Sequence, residues 1–223
     1  MVKNYEEIYC KDELYWGANP SDLVKRFGEL APAGAALDLG MGEGRDALYL
    51  AGLGLSVTGV DSTKSGVSKC SELARKKGLT LRAISEDVRK FKIAKNRYAL
   101  IAAINLFQFL SKKDAQKIIE MAINGLKRGG LFVCESFTID DPHYKAHKKH
   151  SKELAPGTFL DASGNVFSLY GYGEILRMCS PELHNSKTTP KMRPIHYAEY
   201  DFYDTTHGPA HWHGVVDYVG KKL

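Results

Sequence analysis

The residues with the clearest chemical potential form a glycine-rich segment, residues 38–45, which reads DLGMGEGR. The segment follows a short apolar run and precedes an apolar pattern with helical spacing, so it is predicted to link a strand to a helix. Its glycines, Gly40, Gly42 and Gly44, allow positive φ angles and let a ligand lie directly against the backbone. Free N–H groups at the start of the following helix would face that ligand. The pattern therefore predicts a binding turn.

A carboxylate, Asp61, ends the next predicted strand, where it can accept hydrogen bonds from both hydroxyls of a ribose. Two classes of cofactor use this arrangement. A dinucleotide site has the spacing GxGxxG, in which the third glycine lets helix and strand pack closely. Counted from Gly40, that third position holds Arg45. The spacing therefore argues against a nicotinamide cofactor, and an oxidoreductase stays only as an alternative.

Predicted strands alternate with helices, which is typical of an α/β protein whose mainly parallel sheet is covered on both faces. Residues 19–22 are a helix start signal, and Ser62 is predicted to cap a later helix. Strands are predicted at 35–39, 56–61, 79–84, 98–104 and 131–135, and helices at 45–53, 62–77 and 111–127. After residue 136 we expect a polar loop rich in His and Lys, a helix near 173–178, and a hairpin of strands 193–203 and 212–220.

The pattern acidic-x-G-x-G-x-G over residues 38–44 resembles motif I of the class I S-adenosylmethionine-dependent methyltransferases. Asp61 matches the ribose-binding acidic residue of that family. Further matches, to the adenine-contacting position, to motif IV and to the turn into the fifth strand, lie at residues 85–88, 105–107 and 126–132. The matches occur in the family's order over residues 35–136.

Shorter stretches resemble one group within this family, the tellurite-resistance and thiopurine methyltransferases. They are residues 42–51 (GEGRDALYLA), residues 107–110 (FQFL) and the aromatic residues 15–17 (YWG) ahead of the first predicted helix. That group lays an N-terminal aromatic segment over its cofactor. Residues 137–223, where the choice of substrate resides, match it only loosely.

The resemblance implies a three-layer, Rossmann-like, doubly wound fold. Its sheet would have about seven strands in the order 3-2-1-4-5-7-6, with the last strand antiparallel. We predict a single methyltransferase domain over residues 1–223. It would comprise an N-terminal cap (1–30), a cofactor-binding core (35–136), and acceptor-side elements with the final hairpin (137–223).

The implied methyl donor is S-adenosylmethionine, and the implied product is S-adenosylhomocysteine. The residues expected to bind the cofactor are Trp16, Asp38, Gly40, Met41, Gly42, Gly44, Arg45, Asp61, Ser62, Asp87, Val88 and Asn105. Among them, Asp61 would hold the ribose, Asp87 and the Val88 backbone the adenine, and the Asn105 backbone the ammonium group.

Two of these residues have ordinary structural alternatives. Arg45 would reach the carboxylate of the methionyl portion, or form a surface ion pair with Asp46 or Glu43. Trp16 would close over the sulfonium by a cation–π contact, or fill the core beneath the first helix. Tyr5, Tyr9 and Tyr15 are weaker candidates for the same lid.

Six of the eight histidines are predicted to lie on the rim that binds the acceptor. His143, His147 and His150 fall in the loop after strand five, and His207, His211 and His213 fall in or beside the hairpin. His207, His211 and His213 are the candidate catalytic residues, one of which would act as general base. They would otherwise be ordinary hydrogen-bonded imidazoles or would hold a metal or metalloid. We predict no resident metal.

Composition limits the remaining choices. The chain has 223 residues and a formal net charge of +5, too small to indicate a nucleic-acid partner by itself. No apolar run approaches the length of a membrane span, and the four cysteines are scattered. We therefore expect a cytoplasmic enzyme that has no membrane partner and methylates a small molecule, namely a thiol, a metalloid or a small metabolite. The alternatives are methylation of RNA or protein, and a non-catalytic S-adenosylmethionine-binding protein.

Overall fold

A seven-stranded sheet packed between helices forms the centre of the computed structural model, which describes residues 4–11, 13–180, 191–205 and 209–223. The strands are β1 (Ala35–Leu39), β2 (Ser56–Asp61), β3 (Leu81–Ser85), β4 (Tyr98–Ile104), β5 (Leu126–Phe137), β6 (Lys152–Ala155), β7 (Thr158–Leu160), β8 (Val166–Ser168), β9 (Met192–Asp204) and β10 (His211–Lys222). The helices are α1 (Tyr5–Tyr9), α2 (Asp22–Gly28), α3 (Arg45–Gly52), α4 (Lys64–Lys76), α5 (Lys112–Gly125), α6 (Pro142–His150) and α7 (Glu174–Cys179). A 3-10 turn, Phe107–Phe109, follows β4.

The large sheet has the order β3-β2-β1-β4-β5-β10-β9. Strands β1 to β5 pair in parallel, β10 is antiparallel to β5, and β9 is antiparallel to β10. The predicted order 3-2-1-4-5-7-6, with an antiparallel last strand, is confirmed. Because Val215 pairs with Phe137, the start of β10 lies at the carboxyl end of β5. That is the edge at which open α/β sheets bind ligands.

The central strand β4 is buried along its whole length and supplies side chains to both faces of the sheet. Ile101 packs with residues of α5 such as Ile119, whereas Leu100 packs with residues of α2 and α3 such as Leu23 and Leu50. Alternation along the strand thus divides the core into two layers. Burying each such aliphatic side chain contributes about 1.5–3 kcal/mol.

The described helices are all too short or too polar to cross a lipid bilayer.

Helix starts follow the sequence closely. The Ser21 hydroxyl accepts a hydrogen bond from the Val24 amide, so the predicted start signal is correct. The predicted cap of α4 is displaced by one residue, because Thr63 rather than Ser62 precedes the helix. The first two amides of α4, of Lys64 and Ser65, donate instead to the distant Glu6 carboxylate at 2.8 and 3.0 Å.

The prediction of a polar loop after β5 is wrong. His143, His147 and His150 lie in α6, which has Asp141 as its N-cap and Pro142 in its first turn. The Asp141 side chain accepts from the His143 amide at 2.8 Å, and proline is favourable at a first helical position. The small antiparallel sheet β6-β7-β8 was also not predicted.

Candidate functional site

A cavity of about 1270 Å³ lies at the carboxyl ends of β1, β2 and β4. All the residues predicted to bind the cofactor line it except Gly44: Trp16, Asp38, Gly40, Met41, Gly42, Arg45, Asp61, Ser62, Asp87, Val88 and Asn105. The fold therefore brings together side chains from the N-terminal segment and from the ends of several strands, as the sequence predicted.

Two positions of the turn require glycine, because their φ angles are positive and because neighbouring atoms leave no room for a Cβ. A Cβ at Gly42 (φ +55°) would lie 2.9 Å from the Tyr9 hydroxyl. A Cβ at Gly44 (φ +89°) would lie 2.2 Å from Cys70 Sγ on α4. Gly44 therefore lets α3 begin directly against α4, and it supports the cavity from behind instead of lining it.

Asp61 connects the glycine turn to the second strand. Its Oδ2 accepts from the Gly42 amide at 2.9 Å, while Oδ1 accepts from the amide and the hydroxyl of Thr63 at 2.8 and 2.7 Å. A carboxylate has about four acceptor positions, so these bonds leave capacity for a hydroxyl from the cavity. The residue braces the turn and still presents a negative charge to a ligand.

Two buried oxygens on the cavity wall lack a hydrogen-bond partner among the described residues: Asp38 Oδ2 and Asn105 Oδ1. Asn105 has a positive φ of 51°, and its own amide donates to the Glu135 carbonyl. Burial, with the charges of Asp46 and Asp61, raises the pKa of Asp38 well above its ordinary value. Buried acceptors are almost always satisfied in native proteins. The pair therefore fits a ligand that donates hydrogen bonds, such as the ammonium group of an amino acid.

The residues predicted to contact the adenine, Asp87 and Val88, also line the cavity, and one further residue lies beside them. Val88 is buried, and Asp87 is held by Arg89, whose amide and Nε each donate to Asp87 Oδ1 at 2.9 Å. This hydrogen-bonded partner lowers the pKa of Asp87. Arg89 also lines the cavity and was not predicted, because an arginine two residues beyond an acidic position carries no distinctive signal.

Arg45 is held at the cavity wall by the N-terminal segment. Its Nη1 donates to the Trp16 carbonyl at 3.3 Å, and its guanidinium lies 5.9 Å from the centre of the Trp16 ring. Its Nε lies 3.8 Å from Asp46 Oδ2, so one of the two predicted ion-pair alternatives is present. The other candidate, Glu43, binds Lys69 instead.

An aromatic cap covers one side of the cavity. The Tyr5 ring lies 6.2 Å from Trp16 and 5.5 Å from Phe109, and Trp16 Nε1 donates to the Tyr9 hydroxyl at 2.9 Å. Tyr15 packs edge-on against Trp16 at 4.8 Å. Aromatic residues of the N-terminal segment therefore line the cavity or pack beside it, and they include the tyrosines considered as weaker candidates. Their closure over a cofactor stays a prediction.

Buried polar contacts tie this cap to the glycine turn. Glu43, which is 4% exposed, accepts from Lys69 Nζ at 2.6 Å and from the Tyr15 amide at 2.8 Å. Neither Glu43 nor Lys69 was predicted to fasten the cap. The only signal in the sequence was a carboxylate within the glycine-rich motif, and its partner Lys69 is distant in sequence.

The far wall of the cavity comes from the β7–β8 connection, residues 163–166, together with Phe109 and Leu110. None of these residues was predicted to contact a ligand. Residues 163–166 belong to the predicted acceptor-side part of the chain, whereas Phe109 and Leu110 belong to its predicted core.

The two predicted catalytic histidines that the structure describes, His211 and His213, do not lie on the wall of this cavity. His213 is buried, with its ring stacked 4.5 Å from Phe137 and its Nδ1 2.6 Å from Asp141 Oδ2. The ring of His211 lies 4.5 Å from that of His213. His207 lies outside the described residues. The structure thus brings His211 and His213 together, next to Asp141, which was not predicted.

The helix α6 histidines are also displaced from the cavity. His147 is buried against Phe167 at 4.6 Å, His143 lies 6.2 Å from the same ring, and His150 is exposed. Phe167 in turn lies 6.0 Å from Phe109, which does line the cavity. A layer of aromatic rings therefore separates the histidines from the predicted cofactor site.

Residues 36–130 match a family model described as a methyltransferase domain. Two curated proteins from strains of Haemophilus influenzae, each named probable S-adenosyl-L-methionine-dependent methyltransferase TehB, are 31% identical to the chain over 143 residues. The aligned part covers 60% of this chain and 49% of each relative. The chain thus spans about half the length of the curated relatives it matches.

Solved structures show the same fold. The crystal structure of Haemophilus influenzae TehB superposes with a TM-score of 0.67 at 19% identity, covering 98% of this chain and 66% of that one. A methyltransferase from Methanosarcina mazei gives 0.72 at 17% identity, with coverages of 92% and 99%. A third, 1,6-didemethyltoxoflavin-N1-methyltransferase from Burkholderia thailandensis with bound 1,6-didemethyltoxoflavin and S-adenosylhomocysteine, gives 0.63 at 14%, with coverages of 99% and 79%.

Proposed function

We propose that the chain is a class I S-adenosylmethionine-dependent methyltransferase and that it transfers the donor's methyl group to a small-molecule acceptor: a thiol, a metalloid or a small metabolite. One observation carries the proposal. The buried, unsatisfied oxygens of Asp38 and Asn105 share a cavity wall with the Asp61 carboxylate and the Asp87–Val88 pair. That order of groups matches an ammonium group, a ribose and a base along one ligand.

The donor, when bound, supplies a methyl group that its sulfonium has already activated. The chain's residues then have to hold the donor, exclude water and align an acceptor. Asp61 and the unsatisfied oxygens of Asp38 and Asn105 would supply hydrogen-bond acceptors. Trp16, with Tyr5 and Tyr9, would cover the donor and present aromatic faces toward positive charge.

Cavity size supports a small acceptor. Pockets for single small molecules are roughly 300–1,000 Å³. The cavity here has about 1270 Å³ and extends beyond the cofactor-binding residues to residues 163–166. We propose that this extension, bounded also by Phe109 and Leu110, receives the acceptor. The Burkholderia relative, whose structure contains a small heterocyclic compound, fits the same class of acceptor.

We do not route methyl transfer through the predicted catalytic set of His207, His211 and His213. A base must lie within hydrogen-bond reach of the proton that it removes, directly or through one water. The described members of that set, His211 and His213, do not line the cavity. The His213 ring stacks on Phe137, which lies near Phe167, and Phe167 in turn lies near the cavity residue Phe109. The transfer proposed here needs a nucleophile that is already ionised or that loses its proton to solvent.

A cytoplasmic location is proposed on the chemistry of the cysteines. All four, Cys10, Cys70, Cys134 and Cys179, are free thiols. Free, buried thiols are typical of reducing compartments.

The proposal is tested first by calorimetric titration with S-adenosylhomocysteine, with NADH and NADPH in parallel. We expect micromolar binding of S-adenosylhomocysteine alone, whereas binding of a nicotinamide would overturn the cofactor assignment. Transfer of labelled methyl from S-adenosylmethionine to thiols, tellurite, selenite, small metabolites, RNA and protein then identifies the acceptor. Transfer only to RNA or protein would reject the small-molecule class. Binding with no transfer to any of them would favour the non-catalytic alternative.

A further inference from the structure

A second group of ligand-type side chains lies outside the cavity, where β9 and β10 meet. Two sets, Asp204 with His211 and His213, and Asp141 with His143 and His213, each have one potential ligand atom per residue, all within 4.8 Å of one another. Three of these residues, Asp141, Asp204 and His213, are buried.

Strand geometry brings Asp204, His211 and His213 together. Asp204 lies directly opposite His211 in the β9–β10 register. His211 and His213 are two residues apart on β10, so they point to the same face of the strand. Their rings approach each other at 4.5 Å with an interplanar angle of 73°. Two imidazoles and one carboxylate therefore converge from adjacent strands.

Distances decide which set would hold an ion directly. Two ligands bonded to one metal at 2.0–2.1 Å in tetrahedral geometry stand about 3.3 Å apart. Asp141 Oδ1 is 2.6 Å from His143 Nδ1, and Asp141 Oδ2 is 2.6 Å from His213 Nδ1. These are hydrogen bonds.

Asp141 would then be the carboxylate that accepts a hydrogen bond from the ring N–H of a metal-binding histidine. A ligating imidazole almost always donates its other ring N–H to a carboxylate, which fixes its orientation. With Nδ1 of His213 facing Asp141, Nε2 is the nitrogen that would bind a metal. The backbones of β10 and of the residue before α6 lie close together, since a Cβ added at Gly214 would lie 2.6 Å from the amide nitrogen of Asp141.

We propose that Asp204, His211 and His213 bind a divalent transition-metal ion of the Zn²⁺ type, with Asp141 orienting the His213 ring through its hydrogen bond to Nδ1. Imidazole and carboxylate ligands of this kind suit Zn²⁺ and related borderline ions, and three protein ligands leave a position for water or another group. The ion would tie the β9–β10 hairpin to the start of α6. It lies apart from the cavity, so donor binding does not require it.

The test is a calorimetric titration of the untagged, chelator-treated full chain with Zn²⁺, followed by the visible absorption of a Co²⁺ complex. We expect one ion per chain. His211→Ala should weaken binding at least tenfold and remove the Co²⁺ bands, and Asp141→Asn should weaken it about 10- to 100-fold. His150→Ala, on the same helix as His143 but exposed and outside both sets, is the matched control and should bind like the wild type.

Folding and ion placement have separate controls. Each variant is checked by S-adenosylhomocysteine binding, which should persist because the site is separate from the cavity. His213→Ala removes a buried ring, so His211→Ala, which changes a half-buried one, carries the conclusion. Absence of saturable Zn²⁺ binding, or binding that His211→Ala leaves unchanged, would overturn the proposal. Loss with His143→Ala but not with His211→Ala would also overturn it, because the ion would then belong to the Asp141 set.

Discussion

Asp61 Oδ2 accepts a hydrogen bond from the amide of Gly42 at 2.9 Å, so the residue predicted to bind the ribose also fixes the glycine turn. Two functions thus depend on one carboxylate. Its other oxygen is held by Thr63, which keeps the side chain from turning away from the cavity. The binding site is consequently ordered before a ligand arrives, and that lowers the cost of binding.

Asp61→Ala is expected to weaken S-adenosylhomocysteine binding by about 1–3 kcal/mol, because the ligand loses its hydroxyl acceptor and the Gly42 amide loses its partner. This corresponds to a roughly 5- to 150-fold higher Kd by calorimetry. Asp22→Ala, which removes an exposed carboxylate on α2, is the control. Unchanged affinity in the Asp61 variant would exclude its proposed contact with the ligand.

Gly44→Ala is expected to destabilise the fold more than an alanine at another glycine with the same backbone angle. Gly54 has a φ of +84° with no atom within 4 Å of an added Cβ, so Gly54→Ala measures the cost of φ alone. At Gly44 (φ +89°), the added Cβ also meets Cys70 Sγ at 2.2 Å. Overpacking of this kind adds about 1–3 kcal/mol.

The comparison is made by urea unfolding of both variants. An equal loss of unfolding free energy in the two would show that α4 moves away without cost, contrary to the tight packing between α3 and α4.

The protein is expected to lose stability as pH rises through the neutral range because of two neighbouring carboxyl groups, those of the buried Asp217 and the half-buried Glu135. Glu135 lies opposite Asp217 in the β5–β10 register, and burial together with the Asp217 charge raises the pKa of Glu135 to about 8. The unfolded chain has an ordinary Glu pKa of about 4.3. Between these values the folded state holds a proton that the unfolded state has released, so the free energy of unfolding falls with increasing pH.

Glu135→Gln should flatten this dependence between about pH 5 and pH 8, because the amide needs no proton. Urea unfolding at several pH values measures the slope. The exposed Glu120→Gln is the control and should keep the wild-type slope. An identical slope in the Glu135 variant would mean that another group holds the proton.

Local patterns explain how much of the fold was predictable. Strand β4 is a continuous apolar run and was predicted at its exact bounds, Tyr98–Ile104, and the glycine turn carries a fixed motif. Strands β3 and β5 contain polar residues, and their predicted bounds, 79–84 and 131–135, differ from the observed Leu81–Ser85 and Leu126–Phe137. The strands β7 and β8 have only three residues each, too few for alternation to be visible. Helix α6 is dominated by Lys and His, so its sequence has no clear apolar stripe, and its signal was Asp141 followed by Pro142.

The residues of the candidate site likewise fall into those that could be assigned from the sequence and those that could not. Residues on strand ends, such as Asp61, could be assigned because topology alone places them at one edge. Glu43 and Lys69 could not be paired, since they come from different elements and meet only after α4 packs beside the turn. The prediction that the described rim histidines line the cavity was wrong for a related reason. Whether they reach the cavity depends on how rings such as Phe109 and Phe167 pack between them, and no local sequence pattern records that packing.

Lys69→Met is expected to loosen the aromatic cap while leaving the core intact. Lys69 Nζ donates to Glu43 and to the carbonyl groups of Lys11 and Glu13, so one side chain fastens the segment that leads to Trp16. Losing it also leaves the buried Glu43 carboxylate without its cation, which is costly. Hydrogen exchange should accelerate in a peptide covering residues 9–17, and S-adenosylhomocysteine should dissociate faster. Lys76→Met, on the same helix but in an exposed pair with Glu72, is the control and should change neither. Unaltered exchange in the Lys69 variant would mean that aromatic packing alone holds the cap.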